Sequence, residues 1–75
     1  MNLDEFIANL ADQFDDTDIS EINKGTKFKD LDEWSSLTAM CIIAMAKTQY
    51  SKTITGREIR NCETVKDLYD LISNK

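Results

Sequence analysis

The sequence predicts an all-α fold: a small four-helix bundle of three longer helices and one short one, with a long structured loop between helices 1 and 2. Two stretches repeat apolar residues at helical spacing, and a third is built from strong helix formers without glycine or proline. No run alternates apolar and polar residues as a half-buried strand would. With 75 residues, 41% of them apolar, the chain has material for one core and reads as a single domain over residues 1–75.

Leu3, Phe6, Ile7, Leu10 and Phe14 fall on one face, with Asp4, Glu5, Asn9, Asp12 and Gln13 on the other, which predicts a helix over about residues 3–14. Asn2 is its expected N-cap, with Glu5 three residues on to complete a capping box. From Asp15 to Trp34 the period is lost. Loops beyond about 12–15 residues are usually functional or disordered, but Ile19, Ile22, Phe28, Leu31 and Trp34 supply apolar anchors that pin this one to the core. Ile19 to Ile22 fits a single helical turn.

Residues 36–50 form the second long helix. A helical wheel gathers Met40, Ile42, Ile43 and Tyr50 with Ala39 and Ala46, which are expected to face inward. The outward side is then Leu37, Thr38, Cys41, Ala44, Met45, Lys47 and Thr48, small and nearly uncharged. Thr55 stands three residues before Glu58, opening a short turn through Ile59. Thr64 precedes Val65, Leu68, Tyr69 and Ile72, which predicts a last helix over about residues 65–73, with Asp67 favouring its positive end.

Composition excludes several kinds of chemistry. The absence of histidine removes the commonest general base near neutral pH and every Ser-His or Cys-His nucleophile. Cys41 and Cys62 are too few for a four-thiolate metal site or a disulfide scaffold, which fits a reduced, cytoplasmic setting. Cys41 has only Lys47 as a base in its own helix, off its face, so it reads as a packing or interface residue rather than a reactive thiol. Asp16, Asp18 and Ser20 begin a calcium-loop pattern, but Glu21 and Lys27 occupy the places that need glycine and glutamate. Gly25 and Gly56 are isolated, so there is no phosphate-cradling loop. The expectation is a protein that is not itself an enzyme and holds no metal.

The net charge is −5, unevenly placed: residues 1–33 hold ten acids and three lysines, residues 34–75 four acids and six bases. Nucleic acid and anionic membranes are poor partners for such a chain, and a basic protein is a better one. No apolar run approaches a membrane span, and the first residues carry no basic or apolar signal pattern, so no membrane insertion is expected.

What remains is the junction between loop and second helix, Asp30 to Met40. Ser35 reads as the N-cap, leaving Ser36 at the first helical position with its hydroxyl outward and Leu37 beside it. A phosphate on Ser36 would meet the free amides and positive end of a helix. The bland alternative is that both serines only cap.

Nearly the whole chain resembles the acyl carrier proteins. The resemblance is carried by the first helix, by Phe28-Lys29-Asp30-Leu31, by Trp34-Ser35-Ser36-Leu37, by the short helix Gly56–Ile59 and by Thr64-Val65-Lys66-Asp67-Leu68-Tyr69. It implies that Ser36 receives a 4′-phosphopantetheine arm from coenzyme A through a phosphopantetheinyl transferase. The arm would carry an acyl group as a thioester among acyl-transferring and acyl-modifying enzymes, with no catalytic residue on the carrier. In that family a long acyl chain can fold between the helices, where Met40, Ile43, Phe28 and Ile59 would supply walls.

Two departures stand out. The family has Asp where this chain has Ser35, and residues 36–50 contain no acid. Partner docking is therefore expected on Trp34, Leu37, Thr38, Cys41, Ala44 and Met45, an apolar surface with weak salt dependence, with Asp30, Asp32 and Glu33 left to steer a basic partner. These features imply a carrier specialised for one pathway rather than the general fatty-acid carrier of its cell; a monomer is expected. The alternatives are a peptidyl or aminoacyl carrier, and an unmodified helical interaction module of the same fold.

Overall fold

The computed structural model describes residues 2–75. Among them the order is α1 (Leu3–Ala11), α2 (Ser36–Tyr50), α3 (Gly56–Arg60) and α4 (Val65–Ser73), with two single 3-10 turns, Ile19–Glu21 and Phe28–Asp30, in the loop after α1. No strand occurs among the described residues.

Asn2 caps α1 by accepting from the Glu5 amide at 3.1 Å. The helix ends at Ala11, three residues before the expected Phe14. Beyond it, the Gln13 and Phe14 amides bond three residues back, to Leu10 and Ala11, tightening the chain into turns that still bring Phe14 into the core. Ile19 to Glu21 forms the expected turn, and Phe28 to Asp30 adds one that the sequence did not announce.

The core is one cluster. Phe6, Leu10, Ile42, Val65, Leu68 and Ile72 are fully buried where α1, α2 and α4 meet, and Phe6 packs against Tyr69 edge-on with centroids 5.5 Å apart. Of the five loop anchors, Ile22 and Phe28 are buried and Leu31 and Trp34 pack against the cluster. Ile19 is half exposed and anchors little.

α3 and α4 both open with capping boxes, Thr55 with Glu58 and Thr64 with Asp67. The long loop also docks on the start of α4: the Val65 and Lys66 amides donate to the Thr26 and Lys24 carbonyls at 3.0 and 2.9 Å. Amides that would otherwise be orphaned at that helix end thus fix the path of the loop.

α2 is turned about its axis relative to expectation. Thr38, Ile42, Met45 and Ala46 face the core, whereas Leu37 and Met40 are 69% and 64% exposed. Because apolar residues occur all round this helix, its own pattern cannot choose a buried face. Its last residue passes into Ser51, which adopts φ 56°, the left-handed cap position usually given to glycine, with the Lys52 amide closing on Ala46 O.

Candidate functional site

The two serines at the start of α2 have different surroundings. Ser35 is the cap: its Oγ accepts from the Thr38 amide and shares a hydrogen bond with Thr38 Oγ1, both at 3.3 Å. Thr38 Oγ1 also donates to the Glu33 carbonyl at 2.9 Å, tying the end of the loop to the first turn of the helix. Ser36 lies on the outside of that turn. Its hydroxyl is exposed and takes part in no hydrogen bond among the described residues.

The approach to this turn is held by Glu33. Its carboxylate accepts from the Thr17 hydroxyl and from the Asp15 and Asp16 amides, closing the chain after α1 onto the chain before α2. The Thr17 hydroxyl, followed by those amides, holds the Glu33 carboxyl below its ordinary value by favouring the charged form. Glu33 is therefore a structural clasp as well as a charge that stays ionised and partly exposed at the loop. Asp30 and Asp32 remain exposed beside a shallow acidic hollow that includes Asp16 and Glu21.

Ser36 heads a row. Ser36, Ala39, Met40 and Ile43 stand at i, i+3, i+4 and i+7, hence on one side of α2, and together they line a cleft of about 300 Å³ between α2 and α3. The opposite wall is Gly56, Ile59 and Arg60, and Trp34 and Ser35 close the end nearest the loop. Of the four expected wall residues, Met40, Ile43 and Ile59 line this cleft. Phe28 does not: it is fully buried behind Trp34, whose ring meets it edge-on at 5.2 Å. Trp34, partly buried, takes its place as wall.

The expected docking surface is also redrawn. Thr38 and Met45 are 7% and 3% exposed and belong to the core, so neither can meet a partner. Thr38 is drawn inward by its bonds to Ser35 and Glu33, and Met45 by packing in the central cluster. Leu37 and Ala44 are exposed and Cys41 is half-buried between them. Met40, expected inward, joins them, so that Leu37, Met40 and Ala44 make an apolar strip beside Ser36. Cys41 and Cys62 are both free thiols, and burial pushes the Cys62 thiol up, in keeping with a packing role.

Sequence reasoning missed Arg60. Its side chain lies at the cleft, and a Cβ placed on Gly56 would sit 3.7 Å from its Nη1, so the guanidinium folds back over the first turn of α3. The only available signal was its position one turn after Gly56 in a short helix.

No family model, curated protein or solved structure matches the chain. Among the described residues no helix is long and apolar enough to cross a membrane.

Proposed function

We propose that this chain is an acyl carrier, with Ser36 as the attachment point for 4′-phosphopantetheine. The observation that supports the reading best is the division of labour between adjacent serines. Ser35 is engaged in capping, while Ser36 presents an exposed, unbonded hydroxyl at the mouth of an apolar cleft. The residues present fit the arm: nothing covers the hydroxyl, and no acid stands in the first turn of α2 to repel a phosphodiester.

In this reading Ser36 Oγ attacks the phosphorus that bears the pantetheine of coenzyme A. The adenosine bisphosphate half leaves with the broken P–O bond, and the hydroxyl proton passes to a base on the transferase. The thiol of the arm supplies the thioester chemistry. The chain's own residues present the hydroxyl, shelter an apolar cargo in the cleft, and offer Leu37, Met40 and Ala44 to partner enzymes, an interface held by apolar contact rather than by acids.

A second reading, an unmodified interaction module of the same fold, is favoured by Ser35 standing where the acyl carriers have Asp and by the exposed apolar strip on α2. Intact mass after incubation with coenzyme A and a promiscuous phosphopantetheinyl transferase separates the two. The carrier reading expects one added arm in the wild type and in Ser35→Ala, and none in Ser36→Ala. A wild type that gains no arm from several transferases supports the module.

A further inference from the structure

The cleft beside Ser36 holds one feature that shelter for a hydrocarbon chain does not explain. Its walls are uncharged apart from Arg60. The guanidinium is paired with no carboxylate and donates no hydrogen bond to another described residue, while the backbone carbonyl of the same residue accepts from Lys29 Nζ at 2.7 Å and fixes that end of α3. Arg60 is exposed at the rim of an apolar cleft, folded over Gly56, and its fork of donors meets no acceptor among the described residues. Arg57, on the same short helix, does not border the cleft.

We propose that Arg60 is the anion partner of a ligand whose apolar part lies along Met40, Ile43 and Ile59. The ligand is thus a medium-length apolar chain joined to an anionic oxygen group. About 300 Å³ is at the low end of the range for small-molecule sites, which suits a medium chain rather than a long one. Two sources supply that chemistry: a carboxylate on the cargo itself, or the phosphodiester that would join an arm to Ser36. The inference deepens the carrier reading, but the pairing at Arg60 is testable without any arm.

The test titrates the unmodified full chain with octanoate and, separately, with octanamide, following the Arg60 Nε–H and the Ile43 and Ile59 methyl signals by NMR. Octanoate is expected to bind about three- to tenfold more tightly than octanamide, the modest gain of a charge pair open to solvent. Arg60→Gln is expected to abolish that preference, Arg60→Lys to restore part of it, and Arg57→Gln to leave it unchanged. Equal binding of the two ligands by the wild type, or binding of neither, overturns the proposal. With an arm attached, movement of the Arg60 Nε–H on arm attachment alone identifies the phosphodiester as the acceptor. Movement only when the arm carries an acyl chain ending in a carboxylate identifies the cargo. Failure of Ser36 to accept an arm counts against the carrier reading and leaves the titration result standing.

Discussion

The starts of α2 and α4 are the same kind of structure put to opposite uses. At α4 every early amide has a partner inside the chain: Glu63 and Thr64 donate to the Asp67 carboxylate, Val65 and Lys66 to loop carbonyls, and Asp67 to Thr64 Oγ1. At α2 only the Thr38 amide is capped by a side chain, the Ser36 and Leu37 amides have no partner among the described residues, and the first turn carries no acid. One helix end is closed and locks the loop; the other is open and presents a hydroxyl. On the proposed carrier reading both are needed, since an open end that presents a residue keeps its geometry only if neighbouring segments are fixed.

The same contrast separates the faces of α2, and the largest effect is expected there. Met45→Ala should destabilise the domain by about 2–4 kcal/mol, because it empties a core position, whereas Leu37→Ala and Met40→Ala should stay within about 0.5 kcal/mol. Urea unfolding of the three variants checks this. A costly Leu37→Ala would mean that α2 is rotated differently, and would return Thr38 and Met45 to the surface.

Ser35→Ala should cost about 1 kcal/mol, the usual loss of an N-cap, while Ser36→Ala should change stability by less than about 0.5 kcal/mol. Thermal unfolding of the pair, set beside the mass measurement, would show structure and attachment falling on different serines. At the other end of α2, Ser51→Gly should add about 0.5–1 kcal/mol by relieving a left-handed residue that carries a Cβ. An unchanged unfolding midpoint would show that Ser51 occupies that conformation without cost.

The smallest effect, and the one that depends on pH, belongs to the closed end. The Thr64 and then the Glu63 amides lower the Asp67 carboxyl by favouring its charged form. Since the folded value lies below the unfolded one of about 3.9, the stability that Asp67 contributes is present above that pH and is lost as pH falls through the folded value. Asp67→Asn should therefore lower the melting temperature near neutrality and change it little once pH falls below the folded value, flattening the pH dependence below about 4. An unaltered acid profile would mean that the carboxylate is not what closes the helix.

The legible parts of the fold were those with an unambiguous pattern. α4 follows its apolar period, and the caps at Asn2, Ser35, Thr55 and Thr64 stand where short polar side chains precede helical stretches. The apolar period runs three residues past the end of α1 because Phe14 continues it, yet Phe14 reaches the core through tight turns after Ala11. At the site, Ser36 and its cap Ser35 were visible as neighbours in sequence. Arg60 and the wall formed by Trp34 were not, since α3 and the loop meet α2 only in space.

By itself the sequence determined the helical class, the number of helices, their caps and the presence of a serine left over at a helix start, because each depends on residues within one turn of one another. Only the tertiary structure decided which face of α2 is buried, that Glu33 clasps the loop, and that an unpaired guanidinium stands at the cleft beside Ser36. The physical reason is that a helix apolar on every side has no preferred orientation of its own. Its neighbours choose one for it: Glu33 and Ser35 through hydrogen bonds to Thr38, and the central cluster through the fit of Ile42, Met45 and Ala46.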